Sequence, residues 1–407
     1  MLKYVSNIII IILLPLNVIF DVFTNVVFLS GGAFSYVRAL LLLVILAYVI
    51  VTNKQEKSLF IPFLLFIIYC GIQIPFSSDL VYSLSMTLKV LIPLLTFFVG
   101  FSLVTSDRKL RLLNSSVLIV ELILCLNFFI SNYLGIGNDV YSKENPFLAG
   151  NINDNWNIIS YSLIVTPLIF KYNKRKKITL IISLFSFGLL LLSMKRIAIL
   201  VVILGLIYYL LKTKLKTALN WSFGFLLLIL AASPIMWNKL ETRIESRQDK
   251  FSGSQIDVIK EENRFLETIA VWTEIIQFKK PTKAIFGGEA FNSIGNYGGG
   301  VFKNRQLHVD YNLIVNTIGV VGLFLYLNIF FSIYLYIKNK KLFLNKKLFY
   351  TAYMVFIALF YLQFITSLGG QMYQVTFRSI IFIYLGALIR LIKNKNNLIH
   401  NEYSLGS

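Results

Sequence analysis

Charge is scarce in this chain. Only 14% of its 407 residues are Asp, Glu, Lys or Arg, whereas a soluble globular domain carries about 25%. That excludes an ordinary soluble globule. Disorder is excluded from the other direction, because 57% of the residues are hydrophobic and 35 are Phe. Cysteine is nearly absent. Cys70 and Cys125 both fall inside apolar runs without metal-ligand spacing, so no thiolate metal centre is expected and no redox compartment can be read. Histidine is limited to His308 and His400. No zinc motif, paired-carboxylate arrangement or serine elbow stands out. Acidic residues number 19 against 39 basic ones, for a net charge of +20. The basic residues are scattered through short gaps between apolar runs, where the positive-inside rule expects them, so no nucleic-acid partner is expected.

What is abundant is long apolar sequence, and mean hydropathy is +0.73. A helix rises about 1.5 Å per residue, so roughly 20 apolar residues cross the hydrocarbon. The reading is an all-α polytopic membrane protein, one transmembrane domain over residues 1–407, with about twelve spans. These run at 7–29, 35–51, 58–74, 82–104, 112–133, 152–170, 178–193, 197–211, 219–237, 308–337, 348–366 and 374–391. Only Met194-Lys195-Arg196 separates 178–193 from 197–211, so one broken hairpin is an alternative there. The run at 308–337 is long enough to project or tilt. The first span follows Lys3 without a small-residue cleavage site and is read as uncleaved.

Alternation of twelve spans sorts the loops. Segments 1–6, 52–57, 105–111, 171–177, 212–218, 338–347 and 390–407 hold 22 Lys and Arg. The short loops of the other side hold only Lys143, Lys195 and Arg196. The basic side, with both termini, is therefore expected in the cytoplasm. Residues 238–307 form one large external loop with 11 Lys/Arg and 9 Asp/Glu. Long segments cross regardless of charge. Within this loop, Arg264–Phe278 spaces Phe265, Leu266, Ile269, Trp272, Ile275 and Ile276 as an amphipathic helix, lying on the membrane or over a cavity, with Pro281 ending it. Gly287-Gly288 to Gly298-Gly299-Gly300 lacks the Lys-Ser/Thr of a nucleotide loop and reads as a flexible lid. No internal repeat of the transporter kind is visible.

Ionisable groups inside spans are costly and are functional candidates by default. Asn17, Asp21 and Asn25 form a polar stripe on the first span, either bonding between helices or walling a hydrophilic cavity. Lys89, ahead of Pro93, either snorkels or faces an anionic headgroup in a cavity. Glu121 and Asn127 read as structural. Lys195 and Arg196 are the basic pair of a short external loop, against the charge bias, and arginine's planar fork suits phosphate oxygens. Arg264 opens the amphipathic helix. Arg378 lies near the outer end of the last span, where it binds a ligand or snorkels. His308, in Gln306-Leu307-His308-Val309-Asp310-Tyr311-Asn312, places an imidazole that can accept a proton at the loop–span junction. Asp310 and Asn312 are close in sequence, although Asp310 at i+2 points away on a helix. External cations with one histidine suit a reaction in which a phosphate-linked group leaves and a hydroxyl attacks.

In this layout the chain resembles the O-antigen polymerase and O-antigen ligase superfamily, and more closely the Wzy-type polymerases. The resemblance is carried by Ser193-Met194-Lys195-Arg196, by Asn263-Arg264 with Trp272 eight residues on, by Pro281 and Gly287-Gly288, and by His308, Tyr311 and Asn312 leading into Gly319-Val320-Val321-Gly322. It is concentrated in residues 193–325; the first 150 match only as hydrophobic spans. Where many members have Asn after the histidine, this chain has Val309. The resemblance implies a GT-C-like membrane fold and a metal-independent glycosyltransferase without cofactor. Its substrate would be undecaprenyl-diphosphate-linked oligosaccharide, on the external face of a bacterial cytoplasmic membrane. Arg196 and Arg264, with Lys195, Arg378 and Lys89 as further candidates, would hold the diphosphate, and His308 would act as base. A chain-length regulator protein is a candidate partner. An O-antigen ligase is the nearest alternative, and a lipid-linked oligosaccharide flippase or transporter is the next.

Overall fold

The computed structural model describes residues 2–26, 32–137, 150, 155–193, 196–211, 263–278, 280–295, 297, 306–342, 346–370 and 372–405. Among these, every regular element is helical. The helices are α1 (Leu2–Val26), α2 (Gly32–Thr52), α3 (Lys57–Gln73), α4 (Leu80–Leu103), α5 (Asp107–Leu134), α6 (Asn155–Tyr172) and α7 (Lys176–Ser193). They continue with α8 (Arg196–Leu210), α9 (Asn263–Ile276), α10 (Pro281–Phe286), α11 (Asp310–Asn339), α12 (Lys346–Ser367) and α13 (Val375–Leu405). Eight helical segments are long and apolar enough to cross a membrane: Tyr4–Val22, Lys57–Phe76, Leu80–Leu103, Asp107–Leu134, Lys176–Ser193, Asp310–Asn339, Tyr350–Ser367 and Val375–Asn397. Two further apolar segments, Tyr36–Thr52 and Ala198–Ile207, are shorter. The expected span at 152–170 corresponds to α6, which is not among the eight, and the one at 219–237 lies outside the described residues. α7 ends at Ser193 and α8 begins at Arg196, with 194–195 outside the described residues. At 15 residues, α8 is about 22 Å long.

Of the eight candidate spans the most buried is the one in α13, which packs along α4. Gly100 on α4 meets the backbone at Ile383 and Ala387, and Gly386 on α13 meets the backbone at Phe97 and Phe101. A Cβ at either glycine would overlap a backbone carbonyl. Without a hydrophobic drive between helices in lipid, such small-residue contact supplies the van der Waals packing that holds a bundle.

Ion pairs and side-chain caps define one end of the bundle. Lys393 pairs with Glu56, Lys395 with Asp107 at 2.7 Å, and Lys109 donates to Ser6 at 3.3 Å. The Asn394 amide donates to Thr105 O at 2.9 Å and the Asn396 amide to Leu342 O at 2.7 Å. The Lys393 ammonium holds the Glu56 carboxyl below its ordinary range. These contacts gather loops 53–56, 104–106 and 340–342 with the start of α1 and the end of α13. They are the loops that the charge count puts together.

The opposite end is built from loops 74–79, 287–295, 306–309 and 368–374. Ser77 Oγ accepts the Ala290 N–H at 3.0 Å, and Ser78 donates to Glu289 at 2.8 Å. The Tyr373 hydroxyl donates to Phe291 O at 2.7 Å. Burial raises the Tyr373 phenol well above its ordinary range, so it remains a donor.

The long run expected at 308–337 is two helical pieces. α11 is broken at Gly319, which adopts φ 71° and ψ −178°. A side chain there would be strained, and a Cβ would overlap Ile285 O. Gly287, at φ 92°, presses reciprocally on Thr317 and Ile318. The break frees backbone acceptors that lipid would leave unpaired. Gly288 N donates to Asn316 O at 3.3 Å. The Tyr69 hydroxyl lies 2.9 Å from Ile318 O and 3.1 Å from Phe286 O. The piece after the break, about 30 Å at the helical rise, matches the hydrocarbon thickness. The piece before it belongs to the site.

Candidate functional site

Helix α9 matches the expected amphipathic helix, with two corrections. The helix stops at Ile276, and Pro281 does not end it. Proline instead opens α10, where its missing N–H and fixed φ cost nothing. The apolar stripe divides between two faces, with Trp272 and half-buried Ile275 on the docked side. Phe265, Leu266, Ile269 and Ile276 are exposed, while Glu267 and Val271 are buried against the start of α11. The exposed apolar residues form the kind of face that an interfacial helix presents to lipid. Of the glycine-rich stretch, Gly287 is wedged against the α11 break, for the steric reason given above, and Gly288 N donates to Asn316 O. Gly298, Gly299 and Gly300 lie outside the described residues.

A directional chain of hydrogen bonds fastens α9 to α11. Trp272 Nε1 donates to Asn312 Oδ1 at 3.0 Å. Asn312 Nδ2 donates to Thr268 Oγ1 at 2.7 Å, and Thr268 donates to Arg264 O at 2.8 Å. Asn312 is buried, so both ends of its amide need partners and both have one. Asn312→Ala strands the Trp272 Nε1–H donor and removes the amide that Thr268 Oγ1 accepts from, at a cost of about 2 kcal/mol. Limited proteolysis of the membrane protein is expected to nick the chain around α9 faster in this variant. Wild-type resistance would show that the chain of bonds does not hold the helix.

This docking brings His308 to Glu267. His308 Nδ1 lies 3.7 Å from Glu267 Oε1. The histidine side chain is 41% exposed and the glutamate side chain 0%. Nδ1 itself is buried, so the exposure belongs to the rest of the ring. The main chain around it is clamped. Leu307 N donates to Ser293 Oγ at 2.9 Å, and Gly370, at φ 71°, packs directly on the His308 carbonyl. Arg264 is half-buried on α9, one turn ahead of Glu267 and on the same face.

The other expected site residues are distributed as follows. Arg378 is not at an exposed outer position and does not snorkel; its side chain is 1% exposed. Its Nη2 donates to Tyr326 Oη at 3.0 Å, and its Nη1 lies 3.8 Å from Asp310 Oδ2. Asp310 also accepts Met372 N–H at 2.9 Å. It is thus turned away from His308, as its i+2 position implies. Lys89 is half-buried and lines a shallow cleft with Tyr36, Arg38, Ser85 and Val375. Arg38 pairs with Asp21, which also accepts the Thr376 hydroxyl. Asn17 is buried, so the described part of the polar stripe faces the interior, with Asp21 in an interhelical pair. The Asn25 side chain lies outside the described residues. Glu121 and Asn127 are buried on α5. Arg196 opens α8, but its side chain lies outside the described residues, as does all of Lys195.

The structure therefore unites His308 with the Arg264 helix and sets Arg378 beneath that junction. Two residues missed in the sequence complete the picture, Glu267 beside His308 and Arg38 beside Asp21. Asp21 carried a signal for the second, because an acid inside a span needs a cation from a neighbouring span. Among the described residues no three of His, Cys, Asp and Glu form a metal-holding group. No protein-family model matches the chain, and no curated protein matches it.

Proposed function

We propose that the chain is a polysaccharide polymerase of a bacterial cytoplasmic membrane, with about twelve spans in a GT-C-like arrangement, cytoplasmic termini and an external active site. It would move a growing glycan from undecaprenyl diphosphate onto the non-reducing end of a new lipid-linked repeat. The observation that carries this reading is the docking of α9 on α11. Two stretches 40 residues apart are fastened through Trp272 and Asn312. They present a histidine, a buried acid and an arginine at the end of the bundle away from the basic loops.

The chemistry follows from those groups. The acceptor hydroxyl oxygen bonds to the anomeric carbon of the donor glycan, and the bond from that carbon to the diphosphate oxygen breaks. The hydroxyl proton passes to His308. The leaving diphosphate gains charge, and the guanidinium groups of Arg264 and Arg196 would stabilise it. The cleft of Lys89 and Arg38 opens beside Val375, at the start of the helix that follows the Gly370 turn. It would accept the lipid diphosphate head as it enters from the bilayer.

Deletion of the gene tests the reading. Loss of a polymerase leaves a single repeat unit on each lipid core, and plasmid-borne wild type restores long chains. A core without any glycan would point instead to a ligase, which shares the same cationic chemistry. Unchanged chain length would rule out both.

A further inference from the structure

We propose that Glu267 is the positioning residue for His308. Its carboxylate keeps the proton on Nδ1, leaves Nε2 as the nitrogen that accepts the hydroxyl proton, and stabilises the imidazolium that results. The inference rests on the functional reading above, but the contact it invokes can be measured without activity.

The argument starts from where the acid is buried. α9 has an exposed face on which a glutamate would remain hydrated. Instead Glu267 is on the docked face at 0% exposure, where an ionised carboxyl is costly unless a cation or donor compensates. Among the described residues the buried nitrogen of His308 lies 3.7 Å from it. That separation is longer than a hydrogen bond and suits a pair that tightens when the imidazole is charged. Both partners are held independently of each other. Trp272, Thr268 and Asn312 fix the glutamate's helix, and Ser293 and Gly370 fix the histidine's backbone.

The other charged groups nearby are engaged elsewhere or sit on the diphosphate side. Asp310 is turned to Met372 N and Arg378. Glu289 accepts from Ser78 and Asn292, each at 2.8 Å. Glu274 faces Lys283 at 3.3 Å. The Tyr373 hydroxyl donates to Phe291 O. Arg264, one turn before Glu267, would face the leaving group. Glu267 is thus the carboxylate that addresses the imidazole among the described residues.

The test uses the full-length protein in detergent with His400→Ala, which leaves His308 as the only histidine. Carbethoxylation by diethyl pyrocarbonate, read by mass spectrometry of the peptide carrying residue 308, reports the neutral imidazole as pH is varied. With Glu267→Gln, isosteric but uncharged, the midpoint of the modification curve is expected to fall by about one pH unit or more, because the imidazolium loses its neighbouring anion. Glu267→Asp, which withdraws the charge by one methylene, is expected to fall between the two.

In elongation assays Glu267→Gln is expected to lose about 100-fold in kcat, with KM for the lipid-linked donor within twofold and the acid limb of the pH–rate profile displaced in the same direction. Identical modification curves for wild type and Glu267→Gln would overturn the proposal. So would loss of folded protein in both the Gln and Asp variants, which would make Glu267 an anchor of α9. If His308→Ala elongates normally, the functional reading fails, and the modification curves still decide whether the two residues are coupled.

Discussion

His308→Ala is expected to abolish long-chain polysaccharide, with elongation falling at least about 1,000-fold while membrane protein level stays unchanged. A positioned general base contributes roughly 100- to 10,000-fold. Here the substitution also removes the imidazolium that forms 3.7 Å from Glu267. The fold should tolerate the change, because the histidine side chain is 41% exposed and its place is fixed through the main chain. Arg264→Ala should be comparably damaging by a different route, through loss of charge stabilisation at the leaving diphosphate. Immunoblotting of membranes alongside glycan electrophoresis separates chemistry from folding. Normal ladders in both variants would remove the mechanism.

The second large effect is expected at a residue without a side chain. Gly370 is at φ 71°, and a Cβ there would overlap the His308 carbonyl. Gly370→Ala therefore combines left-handed backbone strain with a backbone collision that no rotamer relieves. The chain must move either the 368–374 turn or His308 itself. The turn also presents Met372 N to Asp310 and Tyr373 to Phe291, so its displacement loosens three contacts at once. Elongation is expected to fall about 100-fold, as for other misplacements on the order of 1 Å, and thermal stability in detergent should fall as well. A variant with wild-type activity and melting temperature would mean that the turn is not a support of the site.

The gross architecture was legible because lipid leaves the sequence few options. Apolar runs must be helices, and Lys and Arg mark the loops of one end. The contacts of Lys393, Lys395 and Lys109 bring those loops together as the count implied. The site was half legible. His308, Trp272 and Asn312 stood out by their position, but what joins them is tertiary. A glutamate on an amphipathic helix reads as solvated, and only the docking of α9 on α11 reveals that Glu267 is inside. The same holds for Arg378, which looks like an end-of-span cation until Tyr326 and Asp310 are found around it. Pro281 misleads for a local reason, since proline marks a helix start as readily as a stop. The apolar stripe of α9 was read correctly as a stripe, yet the helix has two surfaces. The one with Glu267, Val271 and Trp272 takes α11 and leaves Phe265, Leu266 and Ile269 outward.

The most direct test of the account is the release of undecaprenyl diphosphate by purified protein in detergent, with lipid-linked repeat units as the only substrate and no ion gradient. One diphosphate carrier freed for each glycosidic bond formed in wild type, and neither product with His308→Ala, is the expected result. Glycan growth without carrier release, or equal release by wild type and the alanine variant, would contradict it.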